Sequence, residues 1–239
     1  MKEKLSLLFK ILIVIVCGTG IFLNIKLLSL QNSIIYFTIQ SNLACFIFYL
    51  FIVLLMITKK LKKNNLYYIS KGMVTMAITV TMVVYQTLLA PNGDMIAYEN
   101  HLLECNFVHL YTPILIILDY LIFGEKGNIK KEYPFIWSLS LIAYQLFDFI
   151  YVILGGRFAN GAKYPYPYMN TEIYGIIGVF INCLIIFIFF VGYGYIVQNI
   201  DNFISKKKDN NKWSKFDKIW IYVIITDVLK EKGILYGKR

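Results

Sequence analysis

Tyr36-Phe37-Thr38-Ile39-Gln40-Ser41-Asn42 runs without interruption into residues 43–57, a stretch with no charged side chain. A helix that crosses a bilayer needs about 20 mostly apolar residues, and this run supplies them. Within it, Thr38, Ser41 and Asn42 fall at i, i+3 and i+4, so a helix carries all three on one face. Polar groups are costly in lipid and turn toward a bundle interior or a cavity. The stretch therefore reads both as a membrane helix and as a candidate site.

The rest of the chain repeats the first of those features. Of its 239 residues, 58% are hydrophobic and only 16% charged, whereas a soluble domain carries about a quarter charged residues. Apolar runs at 7–25, 34–57, 72–90, 106–123, 134–154 and 173–197 predict an all-α, polytopic membrane bundle of six transmembrane helices. Residues 1–200 form this domain. Lys2 and Lys4 precede an apolar run too long for a signal-peptide core and without a small-residue cleavage site, so the first run reads as a retained span.

Lysine and arginine orient the bundle. If the N-terminus is cytoplasmic, all but Lys26, Arg157 and Lys163 of the 24 basic residues fall on the inner side, including Lys10 and Lys71 counted as loop charges. So strong a bias predicts that both termini are cytoplasmic. The net charge of +10 lies in short blocks beside apolar runs, which excludes a nucleic-acid groove. The basic tail, 201–239, repeats Trp213, Phe216, Trp220 and Val223 at helical spacing among lysines, the pattern of an interfacial helix on anionic inner-leaflet lipids. Cys17, Cys45, Cys105 and Cys183 show neither a metal spacing nor a disulfide pattern and read as packing residues. No cofactor or metal motif occurs. Richness in lysine, asparagine and isoleucine points to a bacterial cell membrane.

The last outer loop, 155–171, contains Tyr164-Pro165-Tyr166-Pro167-Tyr168, which excludes helix and favours an extended path. Two roles fit it: an interfacial anchor of tyrosines, or a lid over an outward-facing cavity.

Depth decides which polar residues can meet. At 1.5 Å per residue, Thr38 and His109 lie roughly 6 and 5 Å inside the outer boundary, Gln86 and Asp148 roughly 6 and 9 Å. Asn42, Gln145 and Asn182 come somewhat lower, and Asp119 belongs to the opposite end. In His109-Leu110-Tyr111-Thr112-Pro113 the proline withholds the amide that would bond the carbonyl of residue 109, which permits a kink. A histidine there suits a neutral base, and it equally suits a hydrogen bond that fixes two helices. Thr38 can likewise spend its hydroxyl on its own backbone. Asp148 requires a partner, a shared proton or a wet cavity.

Tyr36 to Asn42, His109-Leu110-Tyr111-Thr112-Pro113-Ile114-Leu115-Ile116-Ile117-Leu118-Asp119-Tyr120 and the Tyr164-Pro165-Tyr166-Pro167 loop together resemble a bacterial six-helix membrane-protein family. That family is distantly similar to the animal androgen-induced and androgen-dependent hydrolases, which cleave fatty acid esters of hydroxy fatty acids with an intramembrane threonine and histidine. The resemblance covers most of the first 200 residues and implies Thr38 as nucleophile and His109 as base.

Two functions follow. In an intramembrane lipid ester hydrolase, Asn42 or Gln86 would supply an oxyanion donor, and Asp148 or Gln145 would orient the imidazole. In a non-catalytic carrier, receptor or assembly protein, the same polar pocket, with Ser41 and Asn182 in its lining layer, would bind rather than cleave.

Overall fold

The computed structural model describes residues 2–92, 101–158 and 161–209, and within them the regular structure is helical throughout. Six helices are long and apolar enough to cross a membrane: α1 Lys2–Leu28, α2 Phe37–Ile57, α3 Asn65–Leu89, α4 Leu102–Phe123, α5 Tyr133–Ile153 and α6 Thr171–Asp209. The expected interfacial helix of the tail lies outside the described residues.

Several ends depart from the hydropathy reading, because a helix runs on until its terminal amides are capped. Helix α3 starts at Asn65 rather than 72, where the Asn64 side chain accepts the Tyr67 amide at 3.1 Å. Lys71 thereby becomes a helix residue, and Lys10 lies within α1; both are buried, not loop charges. Helix α2 begins at Phe37 rather than 34, after a short helix, Leu30–Ile34, capped by Ser29. Helix α6 continues to Asp209 and is broken once, at Gly175, whose φ of 64° suits a residue without Cβ.

Helices α1, α2, α3 and α4 pack as a group, α5 leans on α3, and α6 leans on α5. One core, with Ile13, Cys17, Cys45, Tyr49, Val74, Ile78 and Ile116, sits inside the four-helix group. A second core joins α2, α3, α5 and α6 through Phe37, Met76, Val80, Tyr144 and Phe190. At Gly72 an added methyl would overlap the Trp137 indole, so glycine sets how closely α3 and α5 approach. Ile176, Ile177, Phe180, Ile185 and Phe189 of α6 stay exposed. Such a surface is unfavourable in water and neutral against lipid chains.

Where the proline permits a kink, α4 makes a π-helical turn. Residues Phe107–Tyr111 form that turn, and the Thr112 amide donates to the Phe107 carbonyl, five residues back. A widened turn accommodates Pro113, which has no amide hydrogen to give. Helix α3 ends in a matching π turn, Tyr85–Leu89.

Candidate functional site

A ring stack joins the two widened turns, Tyr85 from one and His109 from the other. The His109 ring is 1% exposed and stacks on Tyr85, with centroids 3.9 Å apart and planes 19° from parallel. The Nδ1 atom stands 3.1 Å from the Cys105 carbonyl oxygen. A carbonyl only accepts, so Nδ1 carries the proton and Nε2 presents a lone pair. That Nε2 lies 3.2 Å from Thr38 Oγ1. The threonine hydroxyl consequently donates to Nε2, the arrangement a nucleophile and its base require.

Thr38 is held by the two polar residues that follow it. Its carbonyl accepts the Ser41 hydroxyl at 3.0 Å and the Asn42 side-chain amide at 2.7 Å. The other Asn42 amide hydrogen goes to the Val108 carbonyl at 3.1 Å. That carbonyl has lost its ordinary α-helical donor, because the Thr112 amide reaches one residue further back. Asn42 is thus a clip between α2 and the π turn of α4, and not the oxyanion donor expected from sequence. Ser41 in turn pairs with Thr81 of α3 at 2.7 Å.

On its open side Thr38 lines a cavity of about 580 Å³ between α2, α3, α5, α6 and the loop before α6. Phe37, Val84, Leu141, Val179, Phe180 and Leu184 make most of this wall apolar. The tyrosine-proline loop is folded into the bundle: Tyr166 and Tyr168 stack with planes 8° apart and both line the cavity. Tyr166 is 7% exposed, which removes it from the headgroup-anchor role.

The other expected site residues separate. Gln145 lines the cavity with Thr38. Gln86 is exposed, because the π turn rotates it away from the bundle, and it makes no oxyanion site. Asn182 donates to the Tyr168 carbonyl at 2.9 Å and so secures the loop. Asp148 is 3% exposed, and no described group donates a hydrogen bond to either carboxylate oxygen. Neither Asp148 nor Gln145 orients the imidazole; the Cys105 carbonyl, one helical turn before His109, does. Cys105 is also more than packing, since its thiol donates to the Tyr85 hydroxyl at 2.9 Å. Its i−4 spacing from His109 was the available signal in sequence; nothing local marked Tyr85.

Among the described residues no group of three or more His, Cys, Asp and Glu is placed to hold a metal ion. A separate polar layer occupies the other end of the bundle, where Asp119 receives Lys10 at 2.6 Å, Lys71 at 2.7 Å and the Tyr49 hydroxyl at 3.1 Å. Set against known proteins, the chain matches no family model, no curated protein and no solved structure.

Proposed function

We propose that this chain is an integral membrane hydrolase of lipid esters, with Thr38 as nucleophile and His109 as general base. One observation carries the reading. A buried threonine hydroxyl lies 3.2 Å from Nε2 of an imidazole whose Nδ1 lies 3.1 Å from a backbone carbonyl oxygen, and that threonine borders a large apolar cavity. Acyl chains would fill the cavity while the ester carbonyl meets Thr38.

As Thr38 Oγ1 bonds to the carbonyl carbon, its proton passes to His109 Nε2. Tyr166 borders the same cavity as Thr38, and its hydroxyl would donate to the oxyanion. Collapse breaks the ester C–O bond, and His109 returns the proton to the departing alcohol. Water, deprotonated by His109, then cleaves the acyl-threonine and releases the acid. The face of Tyr85 stabilises the transient imidazolium, a role that the buried ring stack fits.

The test is hydrolysis of a fatty acyl nitrophenyl ester by purified protein in detergent, with labelling by a fluorophosphonate probe. Thr38→Ala must abolish both, and Thr38→Ser must retain them in part. Equal labelling and turnover by Thr38→Ala removes the assignment. A second reading, a carrier, receptor or assembly protein, is favoured by Asp148, a buried carboxylate without a hydrogen-bond donor among the described residues, which the hydrolytic steps leave unused. Ligand retention without turnover would select it.

The proposal includes a bacterial cell membrane as location, with both termini cytoplasmic and the 201–239 tail against anionic inner-leaflet lipids. An impermeant maleimide should label Lys163→Cys and not Lys62→Cys in intact cells; the reverse result inverts the topology.

A further inference from the structure

Lys10, Lys71 and Asp119 are almost wholly removed from solvent, with side-chain exposures of 5%, 8% and 0%. Two lysines share one carboxylate, so the cluster holds one positive charge in excess. The neighbouring acids do not balance it. Glu125 is bonded to Lys63 and to the Tyr68 hydroxyl. Asp201 accepts the Tyr120 hydroxyl and the Gly127 amide, both at 2.6 Å, and faces Lys126. An unbalanced buried charge is expensive, and proteins compensate it with a partner or a ligand.

Lys10 spends a second hydrogen on Ser6 at 2.8 Å. Lys71 makes one side-chain hydrogen bond among the described residues, to Asp119, and it lines a second cavity of about 270 Å³. Trp137, 4% exposed, lines the same cavity. An ammonium with two unspent hydrogens therefore borders this space. The rest of its wall is largely apolar, with Met76, Ile117, Ile196, Val197 and Ile200. Lys63 and Glu125, already paired and partly exposed, also border it.

We propose that this cavity binds the carboxylate or phosphate of an anionic amphiphile, held by Lys71, with its chain along α6. The ligand supplies the missing negative charge, and charge-assisted hydrogen bonds use the spare donors. A neutral lipid satisfies the apolar wall but not the ammonium. The site is independent of Thr38: Lys71 lies roughly 15 Å along α3 from Thr81, the neighbour of Ser41.

The experiment uses full-length protein in phosphatidylcholine nanodiscs and a photoactivatable oleate, with modified residues mapped by mass spectrometry. Labelling is expected in the cavity segments 67–76 and 193–200. Lys71→Met should reduce it about tenfold or more and Lys71→Arg should preserve it, while the matching photoactivatable oleyl alcohol should label about tenfold less. Val197→Phe, which narrows the cavity and spares Lys71, should also reduce labelling, and Thr38→Ala should leave it unchanged. Competition by oleate alone identifies a free fatty acid as the ligand, and competition by dioleoylphosphatidylglycerol identifies a phospholipid headgroup. Equal labelling by the alcohol, unchanged labelling in Lys71→Met, no labelling of these segments, or failure of both competitors overturns the proposal.

Discussion

The Tyr85 phenol lies flat over the His109 imidazole, 3.9 Å between centroids, with each residue in a π-helical turn of its own helix. A widened turn moves a side chain around the helix axis, and here two such turns bring rings from α3 and α4 face to face. The stack leaves the imidazole its two edge nitrogens, one for Cys105 and one for Thr38. Removing the phenol face by Tyr85→Leu should slow ester hydrolysis about three- to tenfold, the value of a cation–π contact of about 1 kcal/mol. Binding of a non-hydrolysable ester analogue should change less than turnover does.

Replacing the proposed nucleophile tests the pair directly. Thr38→Ala should lower turnover by about 10³-fold or more, and His109→Ala by a similar factor, while the double variant loses no more than either alone. Additive losses, measured on the nitrophenyl ester, would show that the two do not act as one unit.

The Asn42 clip predicts a structural cost. Asn42→Ala leaves the Val108 carbonyl without its donor inside the bundle and should destabilise the protein by about 1–3 kcal/mol. Thermal unfolding in detergent reads the cost, and activity should fall with it because the Thr38 carbonyl also loses a partner.

At the opposite layer, Asp119→Asn strands two buried lysines and should cost about 3–5 kcal/mol. Lys71→Met instead leaves Lys10 and Asp119 as a balanced pair and should cost far less. Unfolding midpoints in the absence of anionic lipid compare the two, and equal losses would mean that charge balance is not what matters there.

Lys126 gives a pH dependence outside the helices. Burial lowers its ammonium from 10.5 to about 8, with the Asp201 carboxylate opposing the shift. The unfolded chain then binds more protons between pH 8 and 10.5, so this group's contribution to stability rises with pH across that window. Lys126→Gln should remove that rise, seen as a smaller difference in unfolding midpoint between pH 8 and pH 10.

The six spans were legible because lipid demands long apolar runs, and hydropathy reads that demand directly. Their ends were less so, since the Asn64 cap, and not hydropathy, sets where α3 begins. Thr38 and His109 were visible because polar residues stand out in apolar helices, and the i, i+3, i+4 spacing placed Ser41 and Asn42 behind Thr38. Gln86, Asn182 and Asp148 stood out equally and belong elsewhere, for depth along a helix says nothing about the direction a side chain faces.

Sequence alone thus determined six helices long and apolar enough to cross a membrane and put Thr38 and His109 at one level of the bundle, because both follow from local composition and rise per residue. Only the tertiary structure decided that Asn42 clips two helices, that the Cys105 carbonyl orients His109, and that Lys10 and Lys71 converge on Asp119. Those outcomes depend on helix rotation and on two π turns, which shift the facing of residues by amounts no local pattern encodes. Close packing between distant helices sets them.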